Sequence, residues 1–221
     1  MKKRKDGDAM EKIIQEMIDT GKWIMEKQLT WGTSGNISAR DGELVYVTAS
    51  GTVLGDLREE DFVVCSLDGD VVRGEKKPSK ETGMHLEVYR KCPDVHAVIH
   101  TSPFYGTFCA CSEVELKTNL FIESMYYDEH ILKIPYYHAG SRELAEAVGR
   151  VCDKTHVILM EHHGILVYDR SMSECRTALD VTENVCKMNI LARMGGIGLL
   201  EVEPDTVRRF LEGGYYKKRR S

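Results

Sequence analysis

Between one helical stretch near its start and two near its end, this chain alternates strand-like and helix-like patterns. No Pro/Gly/Ser linker interrupts that alternation anywhere in its 221 residues. This constrains the fold more than any other feature, because elements that follow one another so closely must pack together as one α/β unit. We therefore read residues 1–221 as a single domain, long enough to bury a full core without disulfides or a structural metal.

Met10, Ile13, Ile14, Met17 and Ile18 recur at helical spacing and predict an amphipathic helix over 8–27. From Gly32 the texture changes to the runs NISAR, LVYVT, FVVCSL and DVVRG, and Asp68-Gly69 between the last two is a hairpin signal. A helix follows over 79–91, with Met84, Val88, Tyr89 and Cys92 on one side. Then come a buried strand over 95–101 and a helix over 103–111. The stretch 116–136 shows neither period. Ser141 opens a helix whose Glu143 and Glu146 suit the dipole. Val157–Met160 and Ile165–Tyr168 form a strand pair around His162-His163-Gly164, and helices close the chain over 171–193 and 204–212.

Composition removes several function classes. The net charge of −5 argues against a nucleic-acid binder working by bulk charge. No run approaches a membrane span, and the basic start MKKRK leads into polar sequence, not an apolar signal core. Seven scattered cysteines, an odd number, read as free packing thiols in a reducing cytoplasm, the Cys109/Cys111 pair included. The tail Lys217-Lys218-Arg219-Arg220 reads as a solvated terminus, or as an anion contact, since Tyr215 and Tyr216 precede it.

Three loops rich in small and hydroxyl residues stand out. Gly32-Thr33-Ser34-Gly35-Asn36 lets backbone N–H groups converge as an anion nest and adds the Asn36 amide. Thr48-Ala49-Ser50-Gly51 ends the next strand, and Pro78-Ser79-Lys80-Glu81 sits at a helix start, where free N–H groups favour anions. Together they point to a phosphate site; beside it Glu81 reads as a dipole match in the first helical turn or as a general acid/base. His100 ends an apolar strand and His162-His163 lie in a tight connection, where one of the pair points inward, so His100 and one of these two are candidate metal ligands. His85 and His96 are without evident partners and read as structural.

In this order and spacing, GTSGNIS, VTASG, KPSKE, VIHTS and EHHGILV resemble the class II aldolase/adducin family over nearly the whole chain. Its L-fuculose-1-phosphate aldolase and ribulose-phosphate 4-epimerase branches are the most similar. The resemblance implies a three-layer α/β/α sandwich on a largely antiparallel sheet, assembled as a homotetramer with active sites between subunits. It further implies a divalent metal, Zn2+, on His100 and His163, with Glu81 as catalytic acid/base. Thr33, Gly35, Asn36, Ser50, Gly51, Ser79 and Lys80 would hold the phosphorylated sugar. The activity implied is a cytoplasmic, metal-dependent lyase that makes or breaks a C–C bond in a small ketose phosphate, giving dihydroxyacetone phosphate and an aldehyde. Neither a nucleic acid nor a membrane is among the expected partners.

Three departures from the family pattern matter. The family strand carries His-x-His, whereas this one reads His100-Thr101-Ser102, and a hydroxyl is a far weaker ligand than an imidazole. By residue type, His138, Glu123 and His130 are the possible substitutes. Ser102 before Pro103 also reads as a helix cap. The family's proton-donating tyrosine falls near Phe121, with Tyr126 and Tyr127 close by in sequence. Finally, a phosphate-site serine is replaced by Lys80, whose cation suits a phosphate or a carboxylate. A decarboxylase, dehydratase or epimerase of the same fold, or a metal-poor non-catalytic relative, is the alternative.

Overall fold

The computed structural model describes residues 2–217, with side chains from Met10 onward. Among these residues the strands are β1 (Asn36–Asp41), β2 (Leu44–Thr48), β3 (Phe62–Ser66), β4 (Val71–Arg73), β5 (Ala97–Thr101), β6 (Ile131–Ile134), β7 (Val157–Met160) and β8 (Gly164–Asp169). They form one sheet in the order β4-β3-β2-β1-β5-β8-β7-β6. Every neighbouring pair is antiparallel except β6 with β7, which is parallel. The helices are α1 (Lys2–Glu26), α2 (Thr82–Lys91), α3 (Phe104–Ala110), α4 (Ile122–Tyr127), α5 (Arg142–Gly149), α6 (Met172–Gly195) and α7 (Pro204–Glu212).

Side chains alternate across a strand, so each strand feeds two layers. Ile37, Ala97, Ile99, Leu159 and Val167 point to the side covered by α1, α3 and α6, where Met17, Ile24, Leu179 and Cys186 complete an apolar core. Val45, Val98, Ile158 and Leu166 point the other way, onto Met84 and Val88 of α2 and Leu144 and Val148 of α5. The result is the expected three-layer α/β/α sandwich on a mostly antiparallel sheet. Full burial of one such aliphatic side chain contributes roughly 1.5–3 kcal/mol, so these two cores dominate stability.

Local signals account for most boundaries. Asp68-Gly69 turns β3 into β4, with Gly69 at φ 98°. Ser141 and Ser171 cap α5 and α6, their hydroxyls accepting from the Leu144 and Glu174 N–H groups. Gly196, at φ 64°, ends α6. Pro204 occupies the first turn of α7. The first helix begins at Lys2, earlier than its apolar stripe.

Some elements differ from the sequence reading. The helix expected from residue 79 starts at Thr82, because the Thr82 N–H and hydroxyl both turn back onto the Ser79 carbonyl. Glu81 is therefore its N-cap residue, at φ −97° and ψ 8°, and not a member of the first helical turn. The unassigned stretch 116–136 contains α4 and β6. Strand β6 is short, and only Ile134 in it is fully buried, so no period of two develops. The cysteines are free thiols, as read, but they are not solitary. Cys92 meets Cys152 just beyond the ends of α2 and α5, and Cys109 of α3 meets Cys186 of α6. Of the basic tail, Lys217 binds the Glu174 carboxylate at 2.8 Å, whereas residues 218–220 lie outside the described residues.

Candidate active site and metal centre

The candidate residues gather where β1, β5 and the β7–β8 turn end together. Asn36 and His100 are directly opposite in the antiparallel pair, so their side chains share the face toward α2. Met160 pairs with Gly164, which leaves Glu161, His162 and His163 to make the turn, with His162 in the left-handed region at φ 55°. Two glycines let these segments close up. A Cβ on Gly35 (φ 91°) would stand 2.8 Å from the His100 carbonyl, and one on Gly164 would stand 2.5 Å from the Thr101 carbonyl.

Glu81 reaches into this junction from the start of α2. Its Oε1 lies 2.9 Å from His163 Nε2 and its Oε2 3.4 Å from His100 Nε2. Asn36 Nδ2 donates to Oε2 at 2.9 Å. Burial alone would raise the Glu81 carboxyl, but the two imidazoles and the Asn36 amide outweigh it and hold its pKa at about 2. Glu81 is thus an anion at neutral pH, in a place that is only 11% exposed. Burial lowers the pKa of His100.

The donor set fits a divalent cation. His100 Nδ1 donates to the Ile165 carbonyl at 2.9 Å, so in the neutral ring Nε2 carries the lone pair and faces the carboxylate. Two electron-rich atoms turned toward each other call for a proton or a cation between them. Glu81 Oε1 is buried and accepts no hydrogen bond despite the approach of His163. One ligand atom each from Glu81, His100 and His163 lies within 4.8 Å of the others. Two imidazoles and a carboxylate are a known protein ligand set for catalytic zinc.

Glu81 therefore joins His100 and His163 as a third possible ligand, which the sequence reading gave only an acid/base role. None of His130, His138 and Glu123 belongs to this group. Ser102 does not cap α3. The N-cap is Pro103, and the free N–H groups of Tyr105 and Gly106 are met by the Glu183 carboxylate of α6. Ser102, 4% exposed, instead sits 2.7 Å from Ser34 Oγ and donates to the His163 carbonyl. It ties the first small-residue loop to the His163 turn.

The three small-residue loops are neighbours. Ala49 bridges Pro78, the Ser50 N–H donates to the Lys77 carbonyl, and the Ser79 N–H to the Thr48 carbonyl. Thr48 Oγ1 accepts from the Ile37 N–H, which joins this pair of loops to β1. Thr33, Ser50, Gly51 and Lys80 are exposed, Gly35 and Ser79 half-buried. Asn36 is buried, and with one N–H on Glu81 it has a single N–H to offer a ligand. Tyr126 and Tyr127 pack with α6 and α7, and the Tyr127 hydroxyl donates to Glu174. Phe121 precedes α4 and has no hydroxyl to offer.

The sequence reading left His85 without a partner, and the structure corrects this. Its Nε2 lies 2.6 Å from Asn36 Oδ1 and its Nδ1 2.7 Å from Ser38 Oγ. Its position four residues after Glu81, opposite the alternating polar pair Asn36 and Ser38, was the available signal.

A carboxylate held ionised between two imidazoles, at the end of an antiparallel sheet, makes a group that could hold a metal ion. Comparison with known proteins then gives the family. Residues 15–190 match the one described as "Class II Aldolase and Adducin N-terminal domain", and the chain belongs to it. It is 31% identical over 182 residues to the L-fuculose phosphate aldolase of Methanocaldococcus jannaschii, covering 80% of this chain and 95% of that one. It is 32% identical over 178 residues to the 3-oxo-tetronate 4-phosphate decarboxylase of Haemophilus influenzae, covering 78% and 84%. Among solved structures, an L-fuculose 1-phosphate aldolase superposes with a TM-score of 0.80 at 27% identity, covering 93% of this chain and 97% of that one. Members of this family act as aldolases and as related decarboxylases, and class II aldolases use a divalent metal. No described helix is long and apolar enough to cross a membrane.

Proposed function

We propose that the chain is a zinc-dependent lyase of small ketose phosphates, similar to L-fuculose-1-phosphate aldolase. The observation that carries this reading is the ionised Glu81 carboxylate between His100 and His163, beside three neighbouring loops of small and hydroxyl-bearing residues that suit a phosphate. Glu81, His100 and His163 would hold the ion. When bound, it supplies Lewis-acid stabilisation of the charge that develops on the substrate carbonyl oxygen.

The chain's own residues do the rest. Gly35, the second Asn36 N–H, Ser50, Gly51 and Ser79 receive the phosphate, with Thr33 and Lys80 at the rim. Glu81 accepts the proton from the carbon beside the dihydroxyacetone phosphate carbonyl. The electron pair left behind adds to the aldehyde carbon, and the new alkoxide oxygen takes up the proton that Glu81 releases, directly or through water, which restores the carboxylate. In cleavage the same carboxyl returns the proton to carbon. A homotetramer in the cytoplasm, with sites between subunits, belongs to this reading.

A second reaction on the same residues is favoured by Phe121, which has no hydroxyl, and by Tyr127, whose hydroxyl is already given to Glu174. Decarboxylation of a 3-oxo acid phosphate sends out CO2 and leaves its electron pair on carbon, which takes a proton from water by way of the Glu81 carboxylate, and no group is needed to exchange a proton with an aldehyde oxygen. Lys80 would then face the carboxylate.

The test is metal analysis of protein purified without chelators, followed by assays of ketose-1-phosphate cleavage and of 3-oxo acid phosphate decarboxylation. About one divalent ion per chain and release of dihydroxyacetone phosphate are expected. Release of CO2 in place of the triose phosphate moves the assignment to the second reaction. Protein without metal and without either activity overturns both.

A further inference from the structure

A row of buried polar side chains runs from Glu81 beneath α2, away from the imidazoles. Asn36 Nδ2 donates to Glu81 Oε2, and Asn36 Oδ1 meets His85 Nε2 at 2.6 Å. His85 Nδ1 meets Ser38 Oγ at 2.7 Å, and Ser38 Oγ meets the Tyr89 hydroxyl at 2.8 Å. Asn36, Ser38, His85 and Tyr89 are each 5% exposed or less.

The direction of every link follows from the end of the row. An ionised carboxylate only accepts, so Asn36 must turn its NH2 toward Glu81 and its carbonyl oxygen toward His85. An amide oxygen only accepts, so His85 must donate from Nε2. Full burial holds the ring neutral, with its pKa at about 3, so Nδ1 carries a lone pair and Ser38 must donate to it. The Ser38 oxygen then accepts from Tyr89, whose pKa burial raises, so that the phenol keeps its proton. All four donors point toward Glu81. Reversing any one of them leaves two donors or two acceptors face to face in a site closed off from solvent.

We propose that His85, backed by Ser38 and Tyr89, is a positioning residue that locks the Asn36 amide with its N–H on Glu81 and so fixes the carboxylate for proton transfer. This rests on the acid/base role proposed for Glu81. The hydrogen bonds of His85 go to Asn36 and Ser38, and its effect reaches the chemistry through Asn36.

A neutron structure of the deuterated protein tests the direction without any assay. Deuterium on His85 Nε2 alone, with the Ser38 O–D aimed at Nδ1, is expected. Deuterium on Nδ1 overturns the proposal. Kinetics of His85→Leu and His85→Gln test the consequence. The leucine variant should lose about 10- to 100-fold in kcat, with KM within about threefold, since it disorders a group behind the reacting one. The glutamine variant, which can still donate to Asn36, should recover most of that loss. Equal losses in the two variants, or wild-type kcat in His85→Leu, would overturn it. If His85→Leu does not fold, Ser38→Ala and Tyr89→Phe take its place, each expected to lower kcat with KM kept. If the wild type turns over no sugar phosphate, the functional reading fails, and the neutron map still decides the direction of the row.

Discussion

The two faces of the sheet are built from the same strands but carry different chemistry. Toward α1, α3 and α6, strands β1 and β5 present Ile37, Ala97 and Ile99, which pack into an apolar core. Toward α2, the same two strands present Asn36, Ser38 and His100, all buried and all hydrogen-bonded. One residue of register separates a face that holds the protein together from a face that can carry out chemistry. Stability and activity should therefore respond to different substitutions.

The largest effect belongs to Glu81→Gln. We expect loss of metal and a fall in kcat of about 10^2- to 10^4-fold, with the thermal midpoint within about 4 °C of wild type. Metal analysis, a progress curve and a melting scan check this. Leu179→Ala, on the apolar face, should do the reverse. Its fully buried site predicts a cost of about 2–5 kcal/mol in urea unfolding, with kcat of the folded fraction within about twofold. If this variant lost activity before stability, the division between faces would be wrong.

Ser102→His probes the seam between the faces. The buried hydroxyl is held by Ser34 and the His163 carbonyl, and it would lie 3.1 Å from a Cβ on Gly164. There is little room for an imidazole, so restoring the family's His-x-His should cost about 1–3 kcal/mol and leave zinc affinity no better. Tighter zinc binding with unchanged stability would sharpen the picture the other way.

The smallest effect is the response to acid. His85, with its pKa near 3, is neutral when folded, burial lowers His100 in the same direction, and both rings take up protons in the unfolded chain below about pH 6.5. The unfolded chain then binds more protons, so stability falls as pH drops, by up to about 1.4 kcal/mol per pH unit for each ring. Glu81 adds to the loss only between about pH 4.5 and 2, where its depressed pKa matters. Urea unfolding at pH 7 and pH 5 should show a smaller difference in His85→Gln than in wild type. An equal difference would remove His85 from the account.

Strong local signals read well from sequence. Asp68-Gly69, the Ser141 and Ser171 caps and the apolar alternation of β5, β7 and β8 placed most of the fold. Glu81, His100 and His163 were evident as reactive types at element ends. The stretch holding α4 and β6 was not, because a six-residue helix and a strand with one fully buried residue leave no period to detect. His85 was missed for another reason. Its partners lie 49 and 47 residues away, on a strand whose pairing with β5 and packing under α2 had to be known first. Ser102 obeyed the local logic of a cap, but Glu183, 78 residues beyond Tyr105, had already taken that task.

Gly35 and Gly164 press the first small-residue loop and the His163 turn against consecutive carbonyls of β5. A side chain at either position would push apart the backbones that carry Asn36, His100 and His163, so this floor has almost no neutral neighbours in sequence space. The rim is different. At Gly51 an added Cβ would meet nothing within 4 Å, and Ser50 and Lys80 stand in solvent. A lineage built on this scaffold can then change what it selects, by drift at the rim, while the proton-handling floor stays frozen. Families that share the floor should diverge first in the groups that greet the far end of the substrate.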